Sequence, residues 1–202
     1  MTRLLWDVDT QVDFVHPDGK LAVPGAESVV PAMARLVEAA RAAGLPHVAS
    51  ADDHELSDAE ISATPDFAVT YPPHCLRGTP GAEKVAATKQ IDPVPLALTR
   101  VERGWLEGRE FLLLKKHFDV FTNPHADVLL ELFAPDEIVL FGVATDVCDD
   151  AAIRGLVARS RNVTFVEDAS RGLDEARSAA CVESWRELGV RVATTDEVLS
   201  EW

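Results

Sequence analysis

A chain of 202 residues is long enough for one ordinary domain with a substantial core. Hydrophobic residues at 47% and charged residues at 26% exclude a disordered chain, and no run approaches the ~18 apolar residues of a membrane span. The net charge of −15, from 19 basic and 34 acidic residues, argues against partners such as nucleic acid or an anionic membrane surface. Cys75, Cys148 and Cys181 form no disulfide framework and suit a reducing compartment. The N-terminus lacks the apolar core of a signal peptide. A cytoplasmic protein with a small-molecule substrate is expected. No internal repeat divides the chain, so residues 1–202 are read as one domain.

The first element is a strand, Leu4–Val8, running into Asp9-Thr-Gln-Val-Asp13-Phe14. Two acids and a glutamine just past a strand sit at the edge where an open α/β sheet binds ligands. For Gln11 and Asp13 the favoured role is ordering of the loop. Val29–Ala43 has the spacing of an amphipathic helix, stopped by Gly44. Pro46–Ala51 is a second strand, followed by Asp52-Asp53-His54. In extended backbone Asp52 and His54 point the same way, which gives half of a metal site.

Residues 55–110 are the least regular part of the chain. Glu55–Asp66 is polar and acidic, in the manner of a surface insertion or lid. Tyr71-Pro-Pro-His74-Cys75-Leu-Arg-Gly78-Thr79-Pro80-Gly81 then specifies a rigid loop. His74 is a candidate third metal ligand, and Cys75 is read as structural. Glu110–Leu114 is a third strand, ending in Lys115-Lys116. A lysine that is buried there needs an acidic partner, for which Asp9 is available.

Asp127–Phe133 is a short helix. Ile138–Phe141 is a nearly all-apolar run, read as a buried parallel strand. From Asp146 the spacing becomes helical as far as about Arg159, placing Cys148 on a first helical turn. Free N–H groups and the helix dipole there would stabilise a thiolate or an oxyanion. Val163–Val166 and Val190–Ala193 are further strands, and Glu175–Leu188 and Asp196–Trp202 are helices. This alternation predicts an α/β fold: three layers, α/β/α, around a mostly parallel sheet of six strands. Asp9, Asp52, His54, Lys115 and Cys148 all fall just after strands, and so share one crevice.

Fingerprints for dinucleotides, phosphate loops, serine hydrolases and Cys-x-x-Cys redox proteins are all missing from the sequence. What remains is a cysteine with an acid and a lysine. Asp9-x-Gln-x-Asp-Phe, Asp52-x-His54, Pro-Pro-His74-Cys-x-x-Gly-Thr-Pro-Gly-Ala-Glu, Lys115 and Gly142-Val-Ala-Thr-Asp-x-Cys148, in this order over residues 4–199, resemble the isochorismatase-like cysteine hydrolases. Among these the resemblance is to the nicotinamidase (pyrazinamidase) branch.

The resemblance implies a catalytic triad of Asp9, Lys115 and Cys148. It also implies a cis peptide between Val143 and Ala144, and an oxyanion hole from the N–H groups of Ala144 and Cys148. It implies a divalent metal on Asp52, His54 and His74, with zinc expected first and iron or manganese as alternatives. It suggests a homo-oligomer. Phe14 and Tyr71 are chosen as substrate-binding residues, and Lys116 is an alternate for the lysine. The chain departs from the branch in following Cys148 with Asp149-Asp150, two acids expected near the mouth of the site. Three readings follow. The first is a nicotinamidase working through a cysteine thioester. The second is a family hydrolase for another small amide or carbamoyl compound. The third is a catalytically idle binding protein, with an unreactive Cys148 and no metal.

Overall fold

In the computed structural model, which describes residues 1–99 and 110–202, the fold is organised by one sheet. Its strands are β1 (Arg3–Val8), β2 (His47–Asp52), β3 (Val94–Leu96), β4 (Glu110–Lys115), β5 (Glu137–Gly142), β6 (Val163–Val166) and β7 (Arg191–Ala193). They lie in the order β3-β4-β2-β1-β5-β6-β7, and every pairing is parallel. Strands β1 and β5 read as largely apolar runs because both of their faces are covered.

Leu4, Trp6 and Val8 of β1 pack with Leu129 and Leu130 of α3 (His125–Phe133), Ile153 and Leu156 of α4 (Asp150–Ala158) and Trp185 of α5 (Glu175–Glu187). On the opposite face Leu5 meets Met33, Leu36 and Val37 of α2 (Val30–Ala42) and Val198 of α6 (Thr195–Leu199). A four-residue helix, α1 (Val12–Val15), lies just after β1. These contacts make the three α/β/α layers.

The described residues hold seven strands rather than the expected six. The additional one, β3, is three residues long, contains Pro95 and pairs only with β4. A proline is tolerated on an edge strand, where its missing N–H faces no neighbour. Of the irregular region read from the sequence, residues 100–109 lie outside the described residues.

The chain builds β1 and β2 on one side of the sheet and then crosses to β5 on the other side of β1. The strand order therefore reverses between β1 and β5, the position at which open α/β sheets bind ligands. Gly142 ends β5 at φ +148°, and a Cβ there would lie 2.1 Å from the Val8 carbonyl oxygen. Only glycine lets β5 leave the sheet this close to β1.

Candidate active site

Three adjacent strands, with the turn that follows a fourth, each deliver one polar group to the same edge. Asp9 follows β1, Asp52 ends β2, Lys115 ends β4, and Cys148 lies beyond β5. Asp52 and Lys115 are partners in the parallel register. Lys115 Nζ is 2.5 Å from Asp52 Oδ1 and 2.9 Å from Asp9 Oδ2, with all three side chains essentially buried. The Asp9 carboxylate is also held by Ser50, whose Oγ donates to Oδ1 at 2.7 Å.

This charge balance fixes protonation. Burial opposes ionisation of Asp52, but Lys115, His54 and His74 outweigh it and hold the carboxyl well below its ordinary range. Burial would strip the proton from Lys115, yet Asp52, Asp9 and Cys148 keep it firmly charged. Burial raises Asp9 above its usual value, and the attraction of Lys115 only partly offsets this. The Cys148 thiol is pushed well above its usual value by burial and by the Asp9 and Asp52 charges, against the pull of Lys115. A thiol whose proton is held more tightly than usual thus neighbours a carboxyl group of raised proton affinity, a pairing suited to proton transfer.

Cys148 does not lie on an α-helical turn, as the spacing suggested. It lies in a π-helical turn, Thr145–Asp149, that precedes α4. Asp149 N donates to Ala144 O, five residues back, at 3.1 Å. Such turns are uncommon and occur often at functional sites. Asp146 fastens the turn by accepting from Leu173 N and Asp174 N at 2.8 and 3.2 Å. The Val143–Ala144 peptide is cis.

The two acids after Cys148 are not at the mouth. Asp149 is fully buried, and apart from a weak approach by Thr145 its carboxylate oxygens have no hydrogen-bond partner. Burial, with the charges of Asp9, Asp7 and Asp146, pushes its carboxyl well above the ordinary value. Asp150 Oδ1 accepts from Trp185 Nε1 and Arg154 Nε, both at 2.7 Å, and so ties α4 to α5.

Beside Asp9 and Lys115, one ligand atom each from Asp52, His54 and His74 lie within 4.8 Å of one another, and all three side chains are buried. The Nε2 atoms of His54 and His74 stand 3.7 and 3.5 Å from Asp52 Oδ2. His74 Nδ1 is 2.7 Å from the Pro72 carbonyl oxygen, which can only accept. Nδ1 therefore carries the proton and Nε2 offers a lone pair. His54 Nδ1 meets Asp58 Oδ2 at 3.3 Å, and its Nε2 is buried without a hydrogen-bond partner. A carboxylate or carbonyl behind each ring, with the free nitrogen turned inward, is how metal-binding histidines are oriented. The residues present fit a divalent cation.

Lys116 points elsewhere, donating to Asp58 at 2.8 Å, so Lys115 is the lysine beside Asp9 and Cys148. Gln11 bridges Asp52 N and the carbonyls of Asp52 and Ala82. Asp13 accepts from Lys20 N and Cys75 N. Both order loops around the site.

Cys148, Asp52 and His74 come together on the wall of a cleft of about 380 Å³, counting the space open to solvent. Phe14, Tyr71, Phe118, Val147 and Leu173 supply apolar wall, and Asp52, His74 and Cys148 line its polar side. Phe14 and Tyr71 both flank His74, with ring centroids at 5.3 and 6.3 Å.

Sequence reasoning missed two residues. Glu60, in the stretch read as a surface lid, is buried, lines the cleft and has an Oε2 with no partner. Burial and the nearby Asp52 charge raise its carboxyl above the usual value. Nothing periodic marks it in the sequence. Ser50 stands two residues before Asp52, and that even spacing in a strand was a usable signal.

The chain is 29% identical over 198 residues to a nicotinamidase/pyrazinamidase of Mycobacterium tuberculosis, covering 94% of this chain and 97% of that protein. Its fold resembles a pyrazinamidase of Pyrococcus horikoshii crystallised with zinc (20% identity, TM-score 0.76, 96% and 99% covered). It equally resembles an N-carbamoylsarcosine amidase of Thermoplasma acidophilum (24% identity, TM-score 0.76, 97% and 98% covered). The isochorismatase domain model matches residues 4–96 and 99–197. The chain therefore belongs to the isochorismatase family of hydrolases.

Proposed function

We propose that the protein is a metal-dependent nicotinamidase, hydrolysing nicotinamide and pyrazinamide-like amides to the acid and ammonia. The observation that supports this reading is that Cys148, backed by the buried Asp9–Lys115 pair, and the Asp52–His54–His74 cluster reach one largely apolar cleft through Cys148, Asp52 and His74. The 29% identical nicotinamidase/pyrazinamidase supports it.

In the first half-reaction Asp9 takes the proton of Cys148 Sγ as sulfur bonds to the carboxamide carbon. The carbonyl oxygen becomes an oxyanion held by the N–H groups of Ala144 and Cys148. Asp9 then gives the proton to the amide nitrogen, the C–N bond breaks and ammonia leaves. In the second half-reaction water attacks the thioester carbon and passes a proton to Asp9. As the C–S bond breaks Asp9 returns that proton to sulfur, the acid is released and the thiol is restored. Lys115 keeps Asp9 and Asp52 from repelling each other throughout. Phe14 and Tyr71 hold the aromatic ring. Asp52, His54 and His74 would hold a divalent metal, zinc in this proposal, which would supply a Lewis acid and offset the negative charge of the site.

A second reading keeps the chemistry and changes the substrate to a small carbamoyl compound. Glu60 favours it, since an unpartnered carboxyl oxygen in the cleft suits a substrate rich in N–H donors. We further propose a single-domain, cytoplasmic homo-oligomer. No helix among the described residues is long and apolar enough to cross a membrane.

The deciding experiment is ammonia release from nicotinamide and from carbamoyl amides, before and after chelation, with Cys148→Ala as control. Release from nicotinamide that chelation and the variant both abolish supports the proposal. Faster turnover of a carbamoyl amide selects the second reading. Activity retained by Cys148→Ala overturns both.

A further inference from the structure

The buried polar groups around Asp9 form a frame that the reaction steps above do not use. Ser50, in β2, is fully buried and grips Asp9 at two points. Its carbonyl accepts from Asp9 N at 3.2 Å, and its hydroxyl donates to Asp9 Oδ1 at 2.7 Å. The same carbonyl accepts from Lys84 Nζ at 3.1 Å, and Lys84 is ion-paired to buried Asp7 at 2.9 Å. Asp9 has φ +50°, a left-handed conformation that aspartate adopts more readily than most residues, and the frame holds it there. With Oδ1 occupied by a hydroxyl, Oδ2 is left facing Lys115 at 2.9 Å.

The geometry points to Ser50 as a positioning residue for the reaction: its hydroxyl fixes the rotation of the Asp9 carboxylate so that Oδ2 is the oxygen presented to the Cys148 thiol. Without that hydroxyl the carboxylate has one unfilled acceptor in a dry site and can turn about its Cβ–Cγ bond. A hydrogen bond to a charged group is strong, and misorientation of a proton acceptor reduces the rate of the transfer step rather than substrate affinity. This inference rests on Asp9 being the proton acceptor for Cys148.

The test compares Ser50→Ala, Ser50→Thr and Asp9→Asn with the unsubstituted protein. Three readouts are needed: steady-state ammonia release, the rate at which iodoacetamide alkylates Cys148 (read by mass spectrometry), and the thermal midpoint. For Ser50→Ala the expected result is a kcat lower by roughly 10- to 100-fold with KM nearly unchanged. A changed alkylation rate is expected with it, and Ser50→Thr should restore both by returning the hydroxyl. The inference is overturned if Ser50→Ala keeps its kcat and alkylation rate. It is equally overturned if Ser50→Thr is as impaired as Ser50→Ala and the losses follow the thermal midpoint. The alkylation arm needs no substrate and separates the two failures. If Asp9→Asn changes alkylation and Ser50→Ala does not, the role of Ser50 fails alone. If Asp9→Asn changes nothing, the underlying triad reading fails and takes this inference with it.

Discussion

Asp52 and Lys115, register partners on neighbouring parallel strands, close a buried 2.5 Å ion pair at the end of the sheet. Lys115 is also the counter-ion of Asp9, so one ammonium serves two carboxylates. Lys115→Met leaves both acids without compensation in a dry site. The expected cost is about 3–5 kcal/mol of stability, the range for removing one partner of a buried ion pair, together with loss of activity. Lys116→Met removes a partly exposed contact to Asp58 and costs under ~1 kcal/mol. Urea unfolding of the two variants checks the contrast, and equal destabilisation would refute it.

Asp58 stands behind His54 as Pro72 stands behind His74. Asp58→Asn is expected to weaken zinc binding by roughly 10- to 100-fold, the usual effect of losing the group that orients a metal-binding histidine. Calorimetric titration of the zinc-free protein checks this. Zinc should also raise the thermal midpoint of the unsubstituted protein, because a ligand that prefers the folded state stabilises it. No rise on adding zinc would remove the cluster as a metal site.

Asp149 yields a prediction with a definite sign in pH. Its carboxyl is protonated in the folded state well above the ordinary value of 3.8, because burial and three neighbouring acids oppose its charge. Below that value folded and unfolded chains both carry the proton, and no pH-linked penalty exists. As pH rises from there toward the folded-state pKa, the unfolded chain gains by ionising and the folded chain does not, so stability is lost. Asp149→Val removes the penalty and the unpartnered oxygens. It is expected to stabilise the protein at neutral pH by about 1–3 kcal/mol, with the gain shrinking toward pH 4. A gain that does not vary with pH would refute this account.

Glu60 bears on substrate choice. Glu60→Leu removes the unpartnered carboxyl from the cleft wall. The ratio of kcat/KM for nicotinamide over a carbamoyl amide is expected to rise about tenfold, the value of one lost hydrogen bond to a donor-bearing substrate. An unchanged ratio would show that Glu60 does not face the substrate.

The layers of the fold were legible because β1 and β5 are covered on both faces and read as largely apolar runs, alternating with helices. The edge strand β3 was not legible: three residues around Pro95 carry no such run. The address of the site was legible as well, since strand ends announce Asp9, Asp52, Lys115 and Cys148 without any knowledge of distance. Depth was not. The periodicity that predicts a helix after Gly142 does not reveal a π turn, and Asp149 was therefore placed at the mouth when it points into the protein. Glu60 was lost for the opposite reason, because an acidic, irregular stretch looks solvated when nothing marks which of its members turns inward.

The paired lysines at the end of β4 make strand alignment a chemical matter. Adjacent residues leave a strand on opposite sides, so Lys115 neutralises the acids while Lys116 braces Asp58 behind His54. A slip of β4 by one residue would turn its side chains to the opposite face and carry both lysines away from the acids they now meet. The charge balance around Asp9 and Asp52 and the bracing of His54 would then be lost in a single event, with no change of sequence. Two halves of the chemistry thus share one point of failure, and the pairing of β4 with β2 is the safeguard for both.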